Sequence, residues 1–102
     1  MNATKLLEQA AYAIGNRASE RDVEQERSMK ATVEAFNAIY GTELTEEQGW
    51  GFMILLKMVR TKGAVVQADN YLDGAAYFAL MGEAALQARK LSDRVCTEEP
   101  SK

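Results

Sequence analysis

Residues 49–83, GWGFMILLKMVRTKGAVVQADNYLDGAAYFALMGE, decide how this chain folds. Two apolar segments lie either side of Thr61-Lys62-Gly63, a turn-forming triplet. From Trp50 to Val59 the residues are apolar almost all the way round a helix, which predicts an element buried by neighbours on several sides. The second segment predicts a helix from Asp69 to Arg89. Its small residues Gly74, Ala75, Ala76, Ala79 and Gly82 allow close backbone approach, in the middle of a bundle or at a subunit contact. Four charges interrupt the pair, Lys57 and Arg60 on the first helix and Asp69 and Asp73 on the second.

An antiparallel hairpin centred near residue 65 sets Arg60 opposite Asp69 and Lys57 opposite Asp73. Each pair of positions is about one turn apart on its helix, so the four form a ladder of two basic and two acidic groups. Two readings follow. In one the ladder is a pair of cross-helix ion pairs, with Asp69 as N-cap of the last helix and Arg60 beside the negative end of the third helix. In the other, Lys57, Arg60 and Arg17 receive phosphate oxygens, Asp69 and Asp73 hold Mg²⁺, and Trp50, Tyr71 or Tyr77 stacks on a base. Burying four charges in an apolar seam costs desolvation that pairing does not always offset, which invites a functional reading beside the structural one and leaves both open.

Upstream, Ala3, Leu7, Ala10, Ala11 and Ile14 predict an amphipathic helix that stops at Gly15-Asn16. Residues 16–28 are rich in mixed charge and predict a solvated connector, or an arginine-bearing loop that closes over a site. A second helix starts near Arg27 or Ser28, runs along Met29, Val33, Phe36 and Tyr40, and ends at Gly41. Thr45-Glu46-Glu47-Gln48 reads as a capping box, with two acids where the helix dipole favours them. Tyr12, Tyr40, Phe52 and Phe78 fall at helical spacing and are expected in the core.

The whole-chain totals narrow the classes. At 102 residues, 47% apolar and 26% charged, the chain is one globular domain, and its composition favours helix over strand. The fold class predicted is all-α, a four-helix bundle-like domain over 1–91 with a frayed C-terminal tail over 92–102. A net charge of −3 argues against a nucleic-acid partner. With no His and a single Cys96, zinc and internal disulfides are excluded, and a Ser or Cys nucleophile would need an unusual base. Metal-activated water is the chemistry left open, with Mg²⁺ or Mn²⁺ as the ion. No apolar run approaches the ~20 residues of a membrane span, and the opening residues do not form a signal peptide, so a cytoplasmic protein is expected.

Three motifs carry a resemblance. Gly15-Asn16-Arg17, Leu44-Thr45-Glu46-Glu47 leading into Phe52 to Arg60, and Asp69-Asn70-Tyr71-Leu72-Asp73 through Tyr77 to Glu83 are together similar to a phage-encoded helical domain family of unknown function. That family distantly resembles the all-α, MazG-type nucleoside triphosphate pyrophosphohydrolases. The resemblance implies a MazG-like fold, a homo-oligomer, the cytoplasm of a host cell, and a nucleotide ligand at Lys57, Arg60, Asp69, Asp73, Tyr77, Arg17 and Trp50. MazG-type enzymes bind Mg²⁺ through Glu-Glu-x-x-Glu and Glu-x-x-Asp on successive helices. This chain has Lys57 and Arg60 where the first motif is expected, and Tyr77 where the closing Asp is expected. A degenerate site with weak or no hydrolysis follows. The alternative is a small helical protein that binds and inhibits a host enzyme or defence component.

Overall fold

The computed structural model describes residues 1–20 and 28–92, without the side chains of 16–20 and 90–92. The expectations for Arg17 as a phosphate ligand, for the connector after Glu20 and for a frayed tail with Cys96 lie outside the described residues or side chains. Four helices form an all-α single domain: α1 (Ala3–Glu20), α2 (Ser28–Tyr40), α3 (Glu46–Arg60) and α4 (Ala68–Ser92). No strand occurs among the described residues.

The α3–α4 hairpin is the centre of the fold, as its apolar length predicts. Among the described residues α1 packs on α4 and α2 packs on α3, but α1 and α2 do not meet. The result is an open, bundle-like array in which the two flanking helices leave a groove above the α3–α4 seam.

Local chemistry fixes the α2–α3 connection. Gly41 takes φ 68°, a left-handed conformation that suits Gly after a helix, and its N–H donates to the Asn37 carbonyl at 2.8 Å. The Asn37 side chain then ties down the loop. Its Oδ1 accepts from Thr42 Oγ1 at 2.7 Å and from Leu44 N at 2.9 Å, while Nδ2 donates to the Leu44 carbonyl at 3.0 Å. The capping box is present: Gln48 N donates to Thr45 Oγ1 at 3.1 Å and Thr45 N donates to Gln48 Oε1 at 3.0 Å. With two reciprocal bonds and Glu46 and Glu47 in the first turn, the start of α3 is strongly specified.

α2 reaches α3 at a glycine. A Cβ on Gly49 would lie 2.8 Å from Val33 Cγ1 and would also collide with Met29 Sδ, so only Gly permits this approach. The buried face of α2 is accordingly Met29, Val33 and Asn37 at i, i+4 and i+8. Phe36 and Tyr40, expected on that face, stand outside it and pack on one another with ring centroids 4.6 Å apart.

Several sequence expectations are corrected. α1 does not stop at Gly15-Asn16 but continues to Glu20: a single Gly costs about 1 kcal/mol of helix propensity, and the alanines around it compensate. Its inward face is Leu6, Ala10, Ala13 and Ile14, one residue round from the predicted stripe, and Leu7 is exposed. α4 begins at Ala68, so Asp69 lies in its first turn and is not the N-cap. Tyr12, Tyr40, Phe52 and Phe78 are all well exposed and do not form a core. α3 is not buried all round, because α2 and α4 cover less than its full circumference and Phe52 remains 70% exposed. The buried apolar residues among those described are Ala10, Val33, Ala76 and Ala84, and no large side chain is fully enclosed.

Candidate functional site

The α3–α4 seam supplies the site. Lys57 Nζ lies 2.9 Å from Asp73 Oδ2, and the two side chains are 11% and 20% exposed. The predicted rung is therefore formed, largely withdrawn from water, by helices held in antiparallel register. The second rung is not: among the described residues no ion pair joins Arg60 to Asp69, and both are exposed. They sit where α3 and α4 end at the loop of residues 61–67, and there solvent competes for each charge.

Moving along the seam away from the loop, Trp50 and Tyr77 stack with centroids 5.6 Å apart and planes 27° from parallel. Trp50, Lys57 and Tyr77 thus lie along one seam, and the two rings occupy each other's faces. Tyr71, the other candidate for base stacking, lies on the far side of α4 and is exposed. Asn70 is buried at 8% exposure. It stands at i and i+3 from Asp73 on the same face of α4, and no hydrogen bond to its side-chain amide occurs among the described residues. A buried amide without a partner costs about 1–3 kcal/mol and is retained where a ligand or water completes it.

Trp50 also forms one wall of a cavity of about 510 Å³ at the opposite end of the groove. Its other walls include Lys30 from α2, Glu46 and Glu47 from the start of α3, and Glu83 and Gln87 from α4. The Lys30 ammonium is held above the usual lysine range, first by its hydrogen bond to Glu34 at 2.6 Å and then by the charge of that carboxylate. Sequence reasoning missed Glu83 and Gln87 as wall residues. The signal was their spacing, since Leu80, Glu83, Ala84 and Gln87 share one stripe of α4.

A resident metal ion fits this arrangement poorly. Asp73 is engaged by a lysine ammonium at 2.9 Å, and among the described residues no three carboxylate or thiol side chains gather where they could hold an ion. A second cation would have to share the Asp73 carboxylate with the Lys57 ammonium and would be repelled by it. What the seam offers is a polar strip of Lys57, Asp73 and Asn70 and an aromatic pair, and of these residues Trp50 alone also walls the carboxylate-edged cavity.

No helix among the described residues is long and apolar enough to cross a membrane. One family model matches the chain over residues 5–85, described as a domain of unknown function, DUF6378. No curated protein and no solved structure gives a significant match.

Proposed function

The chain belongs to the DUF6378 family, and from that premise we propose that it is a phage-encoded, cytoplasmic nucleotide-binding protein. In this reading the site is a degenerate, MazG-like pyrophosphohydrolase site with weak or no hydrolysis. The observation that carries this reading is the position of Trp50. The same indole that stacks on Tyr77 walls a cavity of about 510 Å³, and Lys57 and Asp73 follow along the same seam. A volume within roughly 300–1,000 Å³, with an aromatic wall and a few convergent polar groups, suits a nucleotide. The base takes the Trp50 end. Phosphate oxygens go toward the Lys57 ammonium, with Arg60 at the exposed rim, and Asn70 offers two donors and one acceptor to the sugar or phosphate.

Hydrolysis by two metal ions would need more carboxylates than Asp69 and Asp73, since each Mg²⁺ must be balanced and held near-octahedrally. Binding without efficient turnover is the consistent outcome. The test is thermal shift and turnover with a panel of canonical and modified nucleotides, with and without Mg²⁺ or Mn²⁺. A melting increase for at least one nucleotide is expected, reduced at least tenfold in apparent affinity by Trp50→Ala or Lys57→Ala, each measured against its own unliganded melt. No shift with any nucleotide, or an equal shift in both variants, rejects the proposal.

A second reading has one observation in its favour. Phe52, Leu55 and Val59 on α3 and Phe78 on α4 are left uncovered, which suits a protein that acts by binding another, such as a host enzyme or defence component. Stoichiometric capture of one such protein, lost with Phe52→Glu, supports this reading. Nucleotide binding with no such capture goes against it.

A further inference from the structure

We propose that the cavity beside Trp50 selects its nucleotide by the base, and that the base is guanine, whose two adjacent N–H donors are read by a carboxylate of the cavity wall. This rests on the nucleotide reading above and adds what the wall itself would recognise. The starting observation is an imbalance of partners. Three carboxylates stand in the wall, Glu46 and Glu47 from α3 and Glu83 from α4, and none of their side chains makes a hydrogen bond or an ion pair among the described residues. The two cations of the wall are both engaged. Lys30 Nζ lies 2.6 Å from Glu34 Oε2, while Arg89 Nη1 donates to the Ala85 carbonyl at 3.3 Å and Arg89 has a further interaction within the protein. The cavity therefore presents more unengaged acceptors than donors, and a ligand that fits it brings donors.

The hairpin register shows where such a ligand lies. Lys57 stands against Asp73, so counting back along α3 and forward along α4 sets Trp50 against Leu80 and Glu46 against Ala84. Tyr77 holds one side of the indole and is not among the wall residues, which leaves the other side of Trp50 to the cavity. Glu46 and Glu47 lie one turn back from Trp50 on α3, and Ala84 opposite them brings only a methyl group to the wall. A flat ring stacked on the open side of the indole thus turns its edge toward carboxylates.

Only some bases suit such an edge. An ionised carboxylate accepts hydrogen bonds and cannot donate one. Guanine offers N1–H and the N2 amino group side by side, a match for the two oxygens of one carboxylate. Its O6 and N7 acceptors then suit the remaining N–H groups of Lys30 or the Gln87 amide. In adenine and cytosine the amino group stands beside a bare ring nitrogen, and in uracil the single N–H stands between two carbonyl oxygens. Each of these sets an acceptor against a carboxylate oxygen. The phosphates of the same nucleotide are turned by charge away from this end, toward Lys57 about 10 Å further along α3.

The experiment is a binding series on the full chain with the triphosphates of guanosine, inosine, adenosine, cytidine and uridine in Mg²⁺, read by thermal shift and calorimetry. Inosine differs from guanosine only in lacking the N2 amino group, so it isolates one donor. Guanosine triphosphate is expected to bind tightest, inosine triphosphate about tenfold more weakly, and the others more weakly still. Glu46→Gln, Glu47→Gln and Glu83→Gln are each measured against their own unliganded melt, with the Thr45–Gln48 capping box intact in all of them. At least one should remove the difference between guanosine and inosine. Lys57→Ala should weaken every nucleotide and leave their order unchanged. Binding without a preference for guanine, or a preference that survives all three glutamine substitutions, overturns the proposal and leaves the nucleotide reading standing. Binding of no nucleotide overturns both.

Discussion

Replacing the buried rung of the seam tests whether Lys57 and Asp73 act as one unit. Asp73→Leu removes the carboxylate 2.9 Å from Lys57 Nζ and leaves an ammonium on a side chain that is only 11% exposed. Removing one partner of a buried pair costs about 3–5 kcal/mol, and the residual exposure of this pair reduces the expected loss to about 2–4 kcal/mol. For a domain of about 100 residues 1 kcal/mol moves the melting temperature by about 5 °C, so a fall of roughly 10–20 °C is expected. Lys57→Met should cost less, because Asp73 has a further interaction within the protein. In the double variant Lys57→Met/Asp73→Leu no ammonium is left beside a missing carboxylate, and the loss should fall well below that of Asp73→Leu alone, keeping only what the further interaction of Asp73 contributes. Urea unfolding of all four proteins at one fixed concentration measures the cycle. A double variant that loses the sum of the two single losses would show that the groups do not act on one another, and the reasoning fails. If the double variant is stable but no longer shifts with nucleotide, the pair serves the ligand as well as the fold.

Two further substitutions probe the positions that aim the groove. Gly49→Ala gains about 1 kcal/mol of helix propensity but pushes a Cβ against the stiff, buried Val33; overpacking of about 1–3 kcal/mol should prevail, lowering the melt by several degrees. Gly15→Ala, with nothing within 4 Å of the new Cβ, should instead raise it by a few degrees, and equal signs for the two would refute the close approach of α2 to α3. Asn37→Ala removes three hydrogen bonds from the α2–α3 loop and should destabilise by about 1–3 kcal/mol in urea unfolding, whereas Asn37→Asp keeps both accepting contacts and should cost less.

What could be read from the sequence followed the range of the interactions involved. Gly41 as a helix stop, the Thr45–Gln48 capping box and the Lys57–Asp73 rung depend on neighbours in sequence or on the geometry of one hairpin, and each was visible in residue type and spacing. The Arg60–Asp69 rung used the same geometry and failed because those positions lie at the open end, where no packing excludes water. Core assignments failed for a different reason. Helical spacing says that Tyr40, Phe52 and Phe78 share stripes with other apolar residues, but it does not say whether another helix lies over that stripe. On α3 and α4 nearly every direction is apolar, so periodicity carried no information about which arc the flanking helices would cover.

That ambiguity has a physical consequence for the site. Within this chain α2 covers part of α3 and α1 part of α4, and the arcs of α3 and α4 that point away from one another keep Phe52, Leu55 and Phe78 exposed. The seam between the two helices receives Lys57 and Asp73, with the Trp50 cavity beyond them, and the outer arcs receive none of these groups. A charge on the outer arc should therefore leave the Lys57–Asp73 contact and the cavity as they are. The thermal-shift response to nucleotide is expected to be unchanged in Phe78→Glu, measured against that variant's own unliganded melt. A weakened response in a folded Phe78→Glu protein would show instead that the outer arc sets the spacing of α3 and α4, and that the seam does not hold its own register.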